Sequence, residues 1–269
     1  MQETLSQVHR ASAPRLAPSP LAGTGRFETR WAASLEDLRM AQRLRHRVFA
    51  DEMGVQLPVP AGVPPGHDVD RFDDFCEHVL VCAWPADDTA PRVVGTYRVL
   101  TPEAALRAGG CYSETEFDMG RLAALRPRMV ELGRSCVDPQ WRSGAVILAL
   151  WSALGEFMLA RRLDIAFGCA SIDLKDGGHR AATLWHQLSE RHLAPCAVRT
   201  TPWHPLPLEA LRRDADSAMP PLIKGYLRCG AELLGPPAWD PQFNTADLPM
   251  MMALRSLPAR HRRRFAAGA

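Results

Sequence analysis

Glu131 and Arg134 lie inside an apolar run, Met129-Val-Glu-Leu-Gly-Arg-Ser-Cys-Val137. Such a run rarely buries a carboxylate and a guanidinium unless they pair or do chemistry. Residues three apart in a regular strand point to opposite faces, so a shared pocket requires a bulge, and Gly133 between them suits one. A bulge would also free backbone N–H groups able to polarise a carbonyl, as an oxyanion hole does. Taken alone, the pair is equally compatible with a structural ion pair. Arg142, Ser143 and Gly144 follow where a polar turn meets an apolar helix, and a helix N-terminus beside an arginine is an anion site. The combination points to a charged reaction centre next to a phosphate-bearing ligand.

A second constellation is Asp68-Val-Asp-Arg-Phe-Asp-Asp74, with four carboxylates in seven residues. It fails the calcium-loop pattern, because Phe72 occupies a ligand position and the required glycine is missing. A solvated acidic loop or the rim of a pocket for a cationic ligand remain. His46 and Asp51 have the spacing of a His-x4-Asp acyltransferase motif, but a five-residue offset on a helix separates the two side chains. Gly133-Arg-Ser-Cys-Val137 is half of a nucleophile elbow; Val137 replaces the second glycine, so Cys136 reads as a buried thiol.

The elements that must position these groups can be read from periodicity. Ser34 is an N-cap for a helix over 34–50, with Leu35, Leu38, Ala41, Leu44 and Val48 on one face. Residues 54–66, with four prolines and three glycines, form a loop. The runs His78–Trp84 and Arg92–Leu100 make a hairpin. Thr101-Pro102-Glu103 starts a short helix. Residues 128–138 form the central strand, 143–162 an apolar helix, 164–172 a buried strand and 179–192 a helix. Further strands are expected at Cys196–Trp203 and Leu248–Leu254, with a helix from Pro220 to a glycine stop at Gly230.

The composition fits one α/β domain over 27–258: 46% hydrophobic, 23% charged and a formal charge of +2, which gives no reason to expect nucleic acid. Seven scattered cysteines without a C-x-x-C spacing argue against disulfides and zinc and fit a reducing, cytoplasmic setting. Residues 1–26 lack the apolar core of a signal peptide and read as disordered. No apolar stretch approaches the roughly 20 residues of a membrane span. The basic tail 259–269, with Arg260, Arg262, Arg263 and Arg264, would suit peripheral contact with an anionic membrane surface, or no contact at all.

Several segments together resemble a known family. Leu44-Arg45-His-Arg-Val48-Phe49, Asp68-x-Asp70-x-x-Asp73, Gly95-Thr-Tyr-Arg98 and Glu131-Leu-Gly-Arg134 occur in the order seen in acyl-homoserine-lactone synthases, which belong to the GNAT acyltransferase superfamily. Glu131-Leu-Gly-Arg-Ser-Cys-Val-Asp-Pro139, Arg142-Ser-Gly-Ala-Val-Ile147, Pro221-Leu-Ile-Lys-Gly-Tyr226 and Phe243-Asn-Thr-Ala-Asp247 more closely resemble a sister family, the L-ornithine Nα-acyltransferases. The resemblance implies a GNAT-like α/β fold: a mixed sheet of about seven strands, helices on both faces and splayed central strands. It also implies transfer of a 3-hydroxyacyl chain from acyl carrier protein to the α-amino group of L-ornithine, giving lyso-ornithine lipid. The phosphopantetheine arm of the carrier would be part of the donor, with no metal or other cofactor. In Gln140-Trp-Arg-Ser-Gly-Ala145, Ser143 replaces the glycine usual after the arginine in coenzyme-A-binding loops, which favours the carrier.

On that resemblance, Glu131 is the expected proton acceptor, and Arg134 pairs with it or binds the substrate carboxylate. Arg98 is a second carboxylate partner. Asp70 and Asp73 would attract ornithine's cationic side chain, and Arg45 and Phe49 would belong to a mobile lid over the acyl chain. Cys136, Val137, Arg142, Ser143 and Gly144 would border the acyl donor. Another amino acid or S-adenosylmethionine as acceptor, or a non-catalytic lipid-surface protein, are the competing readings.

Overall fold

A computed structural model gives the fold of the 269-residue chain. The structure describes residues 27–84, 90–142, 144–214 and 218–257. The segment expected to be disordered, residues 1–26, and the basic tail 259–269 lie outside these residues.

Among the described residues, ten strands and five α-helices run in the order β1 (Phe27–Trp31), α1 (Leu35–His46), β2 (Glu77–Ala83), β3 (Arg92–Leu100), α2 (Pro102–Ala108), β4 (Phe117–Asp118), β5 (Met129–Val137), α3 (Ala145–Ala160), β6 (Ile165–Asp173), α4 (His179–His192), β7 (Thr201–Pro202), α5 (Pro221–Arg228), β8 (Glu232–Leu233), β9 (Ala238–Asp240) and β10 (Thr245–Ala253). Eight strands form one mixed sheet in the order β1-β2-β3-β5-β6-β10-β8, with β9 also on β10. This is one strand more than the about seven expected. Strands β4 and β7 form a separate two-stranded ribbon. The pairing of β5 with β6 is parallel and the other ladders of the sheet are antiparallel. A parallel pair needs a crossover, which α3 supplies.

Alternation along β2 shows how the sheet is covered. Val79, Val81 and Ala83 pack in the cluster that includes Val146, Leu150, Leu154 and Met158 of α3. Leu80 and Cys82 point the other way and pack with Ala41 and Leu44 of α1. Helix α4 and helix α5 cover the far half, where Ala181, Leu184, Leu188 and Ile223 meet Ile172, Leu233 and Leu248. Helix α3 sits so close to the sheet that a Cβ on Gly95 would lie 2.4 Å from Val146 Cγ1.

Helix α1 starts where the sequence indicates. Ser34 Oγ accepts from Asp37 N, and the Asp37 carboxylate accepts from Ser34 N. Its end differs from the expected residue 50. After His46 the chain widens into a π-helical turn, Arg47–Glu52, in which Met53 N donates to Val48 O and Val55 N to Phe49 O. The strand expected over Cys196–Trp203 is absent apart from the two residues of β7; Cys196–Val198 is a 3-10 turn. Pro202 cannot donate to a ladder, which limits this segment to a short edge pairing.

Two irregularities in β5 shape the site. The ladder between β3 and β5 slips between Thr96 and Arg98: Thr96 faces Cys136 and Arg98 faces Gly133, so Arg134 and Ser135 both stand opposite Tyr97. This is the expected bulge, but the left-handed residue is Arg134 (φ 50°) rather than Gly133. Such a backbone costs on the order of 1–2 kcal/mol in a non-glycine residue. The second irregularity is a splay. Strands β5 and β6 pair only from Met129–Ile165 to Glu131–Phe167. At the apex the Leu132 carbonyl oxygen sits 2.2 Å from where a Cβ on Gly168 would be, so only glycine fits there. Beyond it, Leu132–Val137, Cys169 and Ser171 border a cleft.

Candidate active site

The cleft between the splayed strands has a volume of about 750 Å³. One wall is the bulged half of β5, from Glu131 to Val137. Tyr97 and Arg98 of β3 line it as well, with Phe49 from the π-turn, Ile147 and Trp151 from α3, and Leu222 and Tyr226 from α5. Asp240, Phe243 and Asp247 close the far side.

Glu131 lies at the apex of the splay and is buried. Its carboxylate does not pair with Arg134, contrary to the ion pair considered from the sequence. One oxygen accepts from Tyr112 N (2.8 Å); the other accepts from Ser113 N (2.7 Å) and Ser113 Oγ (2.6 Å). Burial pushes its pKa above the ordinary carboxylate value, and the donors from Ser113 and Tyr112 offset that only in part. A carboxylate whose pKa is raised is a stronger base than a solvated one and suits proton acceptance.

Arg134 belongs to a different group. Its Nη2 donates to Asp70 Oδ2 (3.0 Å), and its Nε lies 3.3 Å from Asp68 Oδ2 without hydrogen-bond geometry. The guanidinium is sandwiched by the rings of Tyr112 and Phe243, 4.9 and 4.8 Å from their centroids. These contacts hold the strained backbone of the bulge. Arg98 donates to Asp70 (2.6 Å) and Asp73 (3.2 Å). Arg45 reaches Asp68 (2.8 Å) and both oxygens of Asp73 (2.9 and 2.7 Å). Three arginines and three aspartates thus alternate in one buried network. Burial alone would raise Asp70 and Asp73, but Arg98 and Arg134 around Asp70, and Arg45 and Arg98 around Asp73, outweigh it and hold both below the usual carboxylate range.

This network gives several sequence-picked residues a different place from the one expected. Arg98 and Arg134 line the cleft, whereas Asp70 and Asp73 do not. The two aspartates pair with the arginines and stand behind them rather than on the cleft lining where a rim for a cation was expected. Arg45 has no exposed surface and is no lid residue. Phe49 does line the cleft and meets Phe243 edge-on at 5.8 Å.

On the donor side, Cys136, Val137, Arg142 and Gly144 border the cleft, while Ser143 lies outside the described residues. The Cys136 thiol is buried and pushed up to about 12 by that burial, so it is no thiolate nucleophile. Gly144 precedes α3 without a side-chain cap, leaving the N–H groups of the first turn available to an anion. Arg142 is half-exposed and held by Glu52 through two 2.7 Å hydrogen bonds. Exposed pairs of this kind contribute little stability and exchange easily.

A second set of carboxylates was missed. Glu116, Asp240 and Asp247 surround Cys169 and Tyr112 beside Glu131. The signal that singled out Glu131, an acid in an apolar strand, was equally present at Asp247. The last strand was expected to start at Leu248, three residues too late to include Asp247; it starts at Thr245.

Comparison with known proteins agrees with this geometry. An acetyltransferase (GNAT) domain family matches residues 44–152. An L-ornithine N(alpha)-acyltransferase of Rhodobacter capsulatus is 37% identical over 92% of this chain and 96% of its own. One of Agrobacterium fabrum is 36% identical over 88% and 84% of the two chains. Among solved structures, FeeM, an N-acyl amino acid synthase from uncultured soil microbes, superposes with a TM-score of 0.53 at 12% identity, covering 89% of this chain and 98% of its own. The AHL synthase LasI gives 0.51 at 13% identity over 92% and 98%.

Proposed function

The chain belongs to the L-ornithine N(alpha)-acyltransferase family, and from that premise we propose that it moves a 3-hydroxyacyl chain from acyl carrier protein to the α-amino group of L-ornithine, giving lyso-ornithine lipid. The observation that carries this reading is the splay itself. A buried carboxylate, Glu131, stands at its apex, and two braced guanidinium groups, Arg98 and Arg134, face the same cleft.

The pantetheine arm enters past Arg142 and the open start of α3, where its phosphodiester meets a cation and free N–H groups. The thioester lies along the bulged half of β5, beyond the last residue paired with β6. Backbone N–H groups on that edge stabilise the developing oxyanion. The acyl chain runs between α3 and α5, over Trp151 and Tyr226, whose rings stack at 5.7 Å. Arg98 and Arg134 take the α-carboxylate of ornithine, which sets its α-amino group toward Glu131. Glu131, directly or through a water, takes the ammonium proton. The neutral nitrogen then attacks the carbonyl carbon, the C–S bond breaks as the second nitrogen proton passes to the departing thiolate, and Glu131 returns the first proton to solvent. No covalent enzyme intermediate and no metal or redox cofactor enters this scheme.

The test is acyl transfer by the purified protein with a 3-hydroxyacyl carrier protein and ornithine, read by thiol release and product mass. Nα-acylated ornithine is expected, with matched acyl-coenzyme A a poorer donor. Equal use of both donors would reject the carrier assignment; no transfer to any amine would reject the reading as a whole.

A further inference from the structure

Glu116, Asp240 and Asp247 have no part in the chemistry above, yet they stand next to it. Ligand atoms of Glu116, Cys169 and Asp247 all lie within 4.8 Å of one another. Asp240 and Asp247 line the cleft, and Tyr112 Oη donates to Asp240 Oδ2 at 3.4 Å. Buried acids normally have a cation or a full set of donors. Thr245 Oγ1 donates to Asp247 (2.8 Å), and the backbone N–H groups of Gln242 and Phe243 donate to Asp240. Among the described residues no arginine, lysine or histidine forms an ion pair with any of the three. Independently of the clustering, Glu116 Oε1 is buried with no hydrogen-bond partner, in a residue only 9% exposed. The contrast with the Asp68, Asp70 and Asp73 set, where every acid meets an arginine, is direct.

We propose, building on the acceptor reading above, that Asp240 and Asp247, which line the cleft, with Glu116 behind Asp247, form the subsite for the side-chain ammonium of the acceptor amino acid. The missing partner of this cluster is a cation with several N–H donors. A primary ammonium brings three donors and one charge, enough for the orphaned oxygen and its neighbours. Placement agrees. Glu131 accepts from Ser113 Oγ (2.6 Å), which lies 3.5 Å from Cys169 Sγ, itself 3.6 Å from Glu116 Oε2. The α- and δ-nitrogens of extended ornithine are roughly 6 Å apart by standard bond lengths, so one molecule can face Glu131 with the first and the acid cluster with the second. Burial, then repulsion from Asp247 and Asp240, pushes Glu116 well above its ordinary value, and a bound ammonium would relieve that repulsion. A metal ion is the competing occupant. A soft ion would need the Cys169 thiolate, and burial next to Glu116 and Asp247 drives that thiol far from ionisation.

The experiment compares kcat/KM for ornithine and norvaline, which has the same carbon chain without the terminal amine. Wild type is set beside Asp247→Asn, Asp240→Asn, Glu116→Gln and, as a contrast, Asp70→Asn. The ornithine-to-norvaline ratio is expected to fall about 10- to 100-fold in the first three and to stay near wild type in Asp70→Asn. A constant ratio in the first three, or a fall confined to Asp70→Asn, overturns the proposal while ornithine acylation by wild type keeps the function standing. An enzyme that acylates no amine overturns both. If the variants do not fold, wild type still decides. Diaminobutyrate, ornithine and lysine should give a sharp optimum at ornithine, and equal rates for these and norvaline overturn the site. Stoichiometric divalent metal in the purified protein, lost with activity on chelation, overturns it too.

Discussion

At the scale of single residues, Glu131 is the buried acid on which the proposed chemistry turns, and its partners set how readily it takes a proton. Spacing along β5 suggested Arg134, but the carboxylate is held by Ser113 and Tyr112 from the loop after α2. No local pattern in that loop announces the contact. The same holds for Asp70 and Asp73, whose number and spacing were legible but whose neutralisation by Arg45, Arg98 and Arg134 needs the fold. Ser113 offers a direct test of Glu131 as base. Its hydroxyl lowers the Glu131 pKa against the effect of burial. Ser113→Ala should raise that pKa further, so the acidic limb of the kcat/KM profile should move to higher pH. An acidic limb that stays in place would separate Glu131 from the proton transfer.

At the scale of elements, helices and long strands were legible because their periodicity is strong. Helix α4 falls on the expected residues, and β2, β3, β5 and β6 fall within one or two of theirs. The short strands β1, β8 and β9 were missed because two to five residues carry too little alternation to read. A bulge in β5 was foreseen, but its left-handed residue is an arginine, held by aromatic rings and aspartates that lie far away in sequence. The anion site at the start of α3 was expected from the Arg142–Gly144 turn; the Glu52 that occupies Arg142 was not. If Arg142 holds the pantetheine phosphate, Arg142→Ala should raise KM for the acyl carrier protein several-fold more than KM for ornithine. Glu52→Gln, which frees Arg142 from its ion pair, should lower the donor KM. Steady-state kinetics with each substrate varied in turn checks both, and equal effects on the two KM values would remove Arg142 from donor binding.

At the scale of the whole molecule, the formal charge of +2 conceals two opposed sets of buried carboxylates. Asp70 and Asp73 are held below their ordinary pKa by arginines, so they stabilise the fold above about pH 4 and that contribution is lost on further acidification. Glu116 is shifted the other way. Above its ordinary 4.5 the native protein keeps a proton that the unfolded chain has released, so stability falls as pH rises until Glu116 ionises in the fold as well. Glu116→Gln removes this ionisation. Its melting temperature should exceed that of wild type by more at pH 9 than at pH 5, and an equal offset at both would contradict the assignment. The family was legible at this scale, because short segments from Leu44 to Asp247 occur in a fixed order, each of them weak alone. What the account claims of the whole protein is tested most directly by mass spectrometry of lipids from cells that make no ornithine lipid of their own. Expression of the wild-type chain should yield 3-hydroxyacyl ornithine acylated on the α-nitrogen, and expression of folded Glu131→Gln should reduce it about 10²- to 10⁴-fold. Absence of any ornithine-containing lipid with the wild-type chain, or an undiminished yield with Glu131→Gln, would contradict the account.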